Sequence, residues 1–257
     1  MLRIMTINLN GIRAAARKGF FSWAIRQQAD VICVQELKAQ ASELKQAELH
    51  LEGYQTYFHF AEKKGYSGVG IYTRHPVKEV VTGLGWQVAD SEGRYVAVNI
   101  GNTWVASLYM PSGTSGEERQ TVKYDFLNRY ASYLKSLKKE DRYIICGDWN
   151  IAHQNIDLKN WRSNQRNSGF LPEERLWMDH LFTHMEFVDA FREVNKQPDQ
   201  YTWWSNRGRA WEKNVGWRID YQVITPNLKS KVRSAAIYKN ERFSDHAPLM
   251  MEYDSIF

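Results

Sequence analysis

The sequence predicts an α/β fold built as one domain over residues 1–257, and three observations carry that expectation. Short apolar runs rich in β-branched residues recur along the chain, separated by stretches in which apolar residues keep helical spacing. The strand-like runs outnumber those of a simple strand-helix-strand repeat, and no Pro/Gly/Ser-rich linker divides them. A chain of 257 residues, 43% hydrophobic and 25% charged, also has ordinary globular composition and enough length for a substantial core.

Leu2–Asn8 is the first β-rich run, and Asn10-Gly11 after it is a turn signal. Composition is then helical as far as Gln28, before Val31–Gln35 reads as a second buried strand. Residues 42–51 look helical and 68–73 strand-like. Tyr95–Ile100 and Thr103–Tyr109 are apolar runs joined through Gly101-Asn102, which predicts a hairpin. Over 117–139, Phe126, Leu127, Tyr130, Leu134 and Leu137 fall on one helical face, leaving the lysine-rich end solvated. Residues 143–146 form another strand that runs into Gly147-Asp148-Trp149-Asn150. Pro172 starts a helix with Glu173 and Glu174 in its first turn. The run 219–225 alternates as a half-buried strand does, and Ser244-Asp245-His246-Ala247-Pro248 is a loop before a closing strand, Leu249–Tyr253. No short-period repeat or low-complexity segment interrupts this order.

Lys and Arg total 34 against 29 Asp and Glu, a net charge of +5 with a pI near 9.0, which mildly favours a polyanionic partner. Cys33 and Cys146 each sit inside an apolar run, as small buried hydrophobes in a reducing compartment rather than a disulfide framework. The first residues lack an extended apolar stretch, and no run approaches the roughly 20 apolar residues of a membrane helix. A cytoplasmic protein without a membrane partner is expected.

Polar residues gather where strands run out: Asn8 and Asn10, Glu36, Tyr109, Asp148 and Asn150, Asp220, and Asp245 with His246. Each alone has an ordinary explanation as turn chemistry, a cap or an exposed acid. Together they supply what phosphodiester hydrolysis needs: hard oxygen ligands for a cation, a group to orient water, and donors for a charged phosphoryl transition state.

Six ordered segments then make a resemblance specific. Residues 7–14 (INLNGIRA), 35–38 (QELK), 109–113 (YMPSG), 147–152 (GDWNIA), 214–221 (NVGWRIDY) and 244–248 (SDHAP) resemble the motif set of the exonuclease III and AP endonuclease family across essentially the whole chain. The resemblance implies a four-layer α/β sandwich, two packed mixed β-sheets flanked by helices, with the active site at one end. It implies Mg²⁺ as cofactor, with Mn²⁺ as a substitute. Glu36 would be its principal ligand with Asn10 nearby, drawn from an oxygen set that also includes Asp148, Asn150 and Asp245, the last at a second or alternative position.

By the same resemblance Asp220 would orient His246 and favour its charged form, Asp148 would be the general base with Asn150 beside it, and Tyr109 would donate to a phosphate oxygen or help the leaving group. Asn8, Ser112, Asn167 and Gly169 would lie along the DNA, and Trp203, Trp217 and Ile219 would wall a pocket for a baseless sugar. Trp203-Trp204 and Trp217, interleaved with Arg207, Arg209, Lys213 and Arg218, would form a DNA-facing loop. The implied activity is incision 5′ to abasic sites with 3′-5′ trimming of double-stranded DNA, by a monomer. A protein that is mainly a 3′-5′ exonuclease or 3′-phosphatase, and a non-enzymatic DNA-binding module, are the alternatives. At Asn10 some relatives carry aspartate, and at Ser112 some carry asparagine.

Overall fold

In the computed structural model, which describes residues 1–45, 48, 50–137 and 140–257, two six-stranded mixed sheets pack face to face with helices outside. The first sheet contains β1 (Leu2–Asn8), β2 (Val31–Gln35), β3 (Gln55–His59), β4 (Val69–Thr73), β13 (Val232–Ile237) and β14 (Leu249–Tyr253), in the order β13-β14-β1-β2-β4-β3. The second contains β5 (Val77–Thr82), β6 (Tyr95–Ile100), β7 (Thr103–Tyr109), β8 (Tyr143–Asp148), β9 (Val188–Asp189) and β12 (Asp220–Ile224), in the order β5-β6-β7-β8-β12-β9. A short hairpin of β10 (Trp203–Trp204) and β11 (Gly216–Trp217) stands apart.

Each large sheet has one parallel pair near its centre, β1 with β2 and β7 with β8, and every other pairing is antiparallel. The central strands are apolar on both faces because one face meets the other sheet and the other meets helices. Ile4, Cys33, Ile71, Val98, Val105, Ile144, Cys146 and Met251 belong to the layer between the sheets. Both cysteines are buried and free. Helices α1 (Ile12–Arg17) and α2 (Phe20–Arg26) cover the first sheet through Phe20, Trp23 and Ala24. On the second sheet lie α3 (Gln87–Ser91), α4 (Glu117–Ser136) and, beyond the short α5 (Trp161–Asn164), α6 (Pro172–Thr183), packed through Phe126, Leu127, Tyr130, Met178 and Leu181. A further short helix, α7 (Ala190–Val194), is capped by Asp189, which accepts from the Arg192 amide at 3.4 Å.

Register fixes the active end. Asn8 pairs with Gln35, Tyr109 with Asp148, and Asp148 with Asp220, so the polar residues that terminate these strands leave the sandwich together. Gly147 makes the close approach possible: its φ is 149°, and a Cβ there would lie 1.9 Å from the Leu108 carbonyl oxygen. Buried polar pins hold the two sheets in alignment. Gln35 Nε2 donates to Ser107 Oγ at 2.9 Å, and Gln222 Nε2 to the Ile4 carbonyl at 2.9 Å.

Several expectations change in detail. The helical stretch after Asn10 is two helices, because Gly19 at φ 83° turns the chain between them. The helix expected over 42–51 begins as a 3₁₀ turn, Ala41–Glu43, and residues 46, 47 and 49 of that stretch lie outside the described residues, as do Lys138 and Lys139 at the end of the run 117–139. β12 is buried along its whole length rather than on one face, being covered by the first sheet on one side and by Tyr221's aromatic neighbours on the other. No helix among the described residues is long and apolar enough to cross a membrane.

Candidate active site

Asp148 closes β8 and Asp220 opens β12, directly opposite it. His246, in the loop before β14 of the other sheet, turns Nδ1 to Asp220 Oδ2 at 2.8 Å and leaves Nε2 3.8 Å from Asp148 Oδ2. All three side chains are buried. Burial works against a charge on His246, but Asp220 above all, with Asp148 and Asp245, outweighs it and pushes the imidazole up to about 10. Asp148 also moves upward, since burial and then Asp220 disfavour its anion against the pull of His246, Asn8 and the Asn150 amide. A proton acceptor poised nearer neutrality therefore sits beside an imidazolium.

Amides hold that acceptor in place. Asn8 spans the sheets to donate Nδ2 to Asp148 Oδ2 at 2.9 Å, while its Oδ1 accepts the Asn10 amide at 2.9 Å. The Asn150 amide donates to Asp148 Oδ1 at 2.8 Å, and Asn150 Nδ2 donates to the Met110 carbonyl at 2.8 Å.

A second group surrounds Glu36. Lys38 Nζ lies 3.2 Å from Glu36 Oε1 and donates to Asn10 Oδ1 at 2.5 Å, and Asn10 Nδ2 donates to Asp245 Oδ1 at 3.0 Å. Glu36 and Asn10 thus offer oxygens to the Lys38 ammonium, with Asp245 one hydrogen bond beyond Asn10. Tyr109 lies near Glu36, and burial followed by the charge of that carboxylate keeps its phenol well above the usual range, a neutral donor. Arg94 fixes the tyrosine from behind, its guanidinium 4.7 Å from the ring centroid and Nη1 donating to the Tyr109 carbonyl at 2.9 Å. Asn10, Glu36, Lys38 and Asn150 all have positive φ, near 45–52°. Left-handed backbone at non-glycine residues costs free energy, and four such residues fall at the site.

Beside both groups lies an apolar cluster of Ala152, Leu158, Phe170 and Ile219 with the half-buried Trp161, Trp203 and Trp217. Trp217 meets Trp203 and Phe170 edge to face, at 6.3 Å in each case. Trp203 Nε1 donates to Asp245 Oδ2 at 3.1 Å, tying this cluster to the oxygen group. Gly169 packs so closely that a Cβ would stand 3.2 Å from the Trp217 ring. Gly113 lies against Ser168, which brings the loops carrying Ser112 and Asn167 side by side. Ser112 and Asn167 bond elsewhere: Ser112 shares its hydroxyl with Thr114, and Asn167 donates to Asn164. A cleft of about 340 Å³ opens at Asn10 and Asp245 between Lys18 and Arg242, cations suited to phosphate. A larger cleft of about 570 Å³, lined by His153, Phe182 and Lys229 among others, includes none of these groups.

Two residues of the expected DNA-facing loop are internal. Trp204 is fully buried with Nε1 on Asn214, and Arg218 is buried between Asp157 and Asp189, which it contacts at 2.8 and 2.6 Å. Arg207, Arg209 and Lys213 remain exposed. Four supporting residues escaped the sequence reading: Lys38, Arg94, Lys123 and Glu174. Lys123 had a visible signal, since it continues the apolar stripe of Leu127, Tyr130 and Leu134 on α4 yet carries a charge.

Asp148, Asp220 and His246 each bring one ligand atom within 4.8 Å of the others, a set able to hold a metal ion. Acid, base and cation-attracting oxygens arranged in this way belong to a phosphodiester hydrolase. The model of the endonuclease/exonuclease/phosphatase family matches residues 5–246, and the chain belongs to that family, in its exonuclease III and AP endonuclease group. An exodeoxyribonuclease of Bacillus subtilis is 38% identical over 252 residues, 96% of this chain and 98% of that one. The DNA repair nuclease APEX1 of Danio rerio is 33% identical over 97% of this chain and 81% of its own length. Among solved structures, an AP endonuclease from Archaeoglobus fulgidus superimposes with a TM-score of 0.90 at 28% identity, covering 99% of this chain and all of that one.

Proposed function

We propose that this protein, acting as a cytoplasmic monomer with a single catalytic unit over 1–257, incises DNA 5′ to abasic sites and trims 3′ ends, with Mg²⁺ as its metal. The observation that carries this reading is the charged His246 between Asp220 and Asp148, set beside a half-open aromatic cluster. The donor set around Glu36 suits Mg²⁺ because it is all hard oxygen and already attracts the Lys38 ammonium. Ligation by His246 would need its neutral form, which Asp220 disfavours, so we assign the metal to Glu36, with Asn10 and Asp245 near it. When bound, Mg²⁺ would neutralise charge on the phosphate and polarise its P–O bonds.

The chain's own groups do the rest. His246 Nε2 donates to a non-bridging phosphate oxygen, stabilising the charge that grows in the transition state. Asp148 takes the proton of the attacking water, which Asn150 helps to orient, and Tyr109 donates toward the phosphate or the leaving oxygen. Discrimination comes from shape: a sugar without a base rotates out of the duplex at little unstacking cost and enters between Trp203 and Trp217 over Ile219, where a nucleotide that keeps its base is excluded. Gly169 brings its backbone to that wall, and the loops of Ser112 and Asn167 meet the flanking strand.

The test is a duplex carrying one abasic site, incubated with Mg²⁺ or with chelator, beside a duplex with a recessed 3′ end. Mg²⁺-dependent cutting 5′ to the lesion is expected. Absence of any Mg²⁺-dependent incision or 3′ digestion would sink the proposal, and 3′ digestion without incision would leave the exonuclease alternative.

A further inference from the structure

Glu174 and Lys123 form an ion pair whose side chains are fully buried, with Lys123 Nζ 2.5 Å from Glu174 Oε1. The lysine belongs to α4 and the glutamate to the first turn of α6. Each then reaches a different part of the site. Lys123 Nζ also donates to the Asn150 carbonyl at 2.8 Å. Glu174 Oε2 accepts the Gly169 amide at 2.6 Å and the Leu171 amide at 3.0 Å, and Oε1 accepts Gln120 Nε2 at 3.1 Å. The loop is closed by the Ala152 amide, which donates to the Gly169 carbonyl at 2.8 Å.

We infer that Lys123 and Glu174 are positioning residues that set Asn150 and Gly169 together, so that the turn aiming at Asp148 and the backbone lining the Trp217 wall are held as one unit. Three observations carry this. A buried ion pair contributes little net stability compared with an apolar pair of the same shape, because both ions must be desolvated. Its value here lies in direction: one carboxylate collects donors from α4, from the 168–171 segment and from its own helix start. Asn150, at the far end of the chain of contacts, is held at φ 51°, a conformation that relaxes unless its surroundings fix it. Release of its carbonyl would free the 150–151 peptide to rotate and let Asn150 leave its left-handed conformation, loosening the turn whose amide bonds Asp148 Oδ1. Gly169, lacking a side chain, is held by its two backbone bonds against the Trp217 ring, so close that an added Cβ would stand 3.2 Å from it.

This inference rests on the proposed role of Asn150, and its test keeps the two separable. The double variant Lys123→Met/Glu174→Gln removes both charges, so no uncompensated ion is left buried. With abasic duplex and Mg²⁺, kcat should fall at least tenfold while KM stays within about threefold and the melting temperature within a few degrees. Amide hydrogen exchange on the same protein without DNA should quicken at Asn150, Ala152 and Gly169 while the central strands stay protected. Glu174→Asp, which keeps the charge but shortens its reach, should fall between parent and double variant in both readouts. Parental kcat, or a loss of kcat that follows the unfolded fraction, would overturn the inference. If the parent itself fails to cut abasic DNA the proposed function is lost, and unchanged exchange at Asn150 and Gly169 would still overturn the positioning claim, whereas quickened exchange confined there would uphold it.

Discussion

Replacing Asp220 by asparagine tests the electrostatic heart of the site, because it keeps the shape of the side chain and deletes its charge. Lifting His246 from 6.5 to about 10 amounts to about 5 kcal/mol in favour of the imidazolium, after burial has been overcome. Asp220 is the largest favourable contributor and the one in contact, at 2.8 Å. Without it burial gains the upper hand, and His246 is expected to titrate below about pH 7. The measurement is an NMR titration of the His246 ring in chelated protein, assigned by the resonance lost in His246→Gln. In the parent that resonance should not move below about pH 9. Stability carries the same sign. A histidine raised in the folded state contributes stability that is complete below about pH 6.5 and is lost as pH climbs toward 10, so the urea midpoint of the parent should decline across that window and that of Asp220→Asn should stay flatter. A parent His246 that titrates near 6.5, or the same titration in both proteins, would refute the reasoning.

Three further outcomes are expected. Glu36→Gln should weaken metal binding measured by calorimetry and raise the Mg²⁺ needed for half-maximal cutting, with activity partly restored at high Mg²⁺; an unchanged metal dependence would exclude Glu36 as ligand. Trp217→Ala should reduce abasic-site incision at least tenfold more than digestion of a recessed 3′ end, with melting lowered by only a few degrees since the ring is half-exposed; equal loss of both activities with a large drop in melting would make it a core residue. Asp157 is held down at about 2 by Arg218 and Arg192 despite its burial. It therefore contributes about 2 kcal/mol above pH 4 that vanishes as pH falls toward 2, and Asp157→Asn should cost about 3 kcal/mol at pH 7 by taking a carboxylate from buried Arg218, which keeps Asp189, and from Arg192, both readable by chemical denaturation.

The convergence of the candidate site residues was legible because they interrupt buried strands. An acid directly after Tyr-Ile-Ile-Cys-Gly, or an asparagine after Met-Thr-Ile, must emerge where apolar chain meets solvent, and the sheet register carries such ends to one place. Edge strands were not legible. β5 has three exposed residues in a row and β13 two, so their periodicity is weak, and sheet membership comes from partners distant in sequence. Arg218 misled for a related reason: following Gly216-Trp217 it resembles a DNA contact, and only the fold brings Asp157 and Asp189 to it. Glu174 was recognised as a helix-start acid, which it is, but local sequence does not reveal that Lys123 waits across the gap.

The pairing of β1 with β14 has a consequence in time as well as space. The first strand of the chain lies between β2 and the last strand, and the centre draws on Asn8 near one end and His246 near the other. Such contacts form only after distant segments meet, which makes them late events in folding. A chain emerging during synthesis thus has neither a closed first sheet nor its charged imidazole until residues beyond 246 are free to return to the start. A fragment that stops short of His246 is therefore expected to lack the Asp220–His246 pair and, with it, the cutting activity.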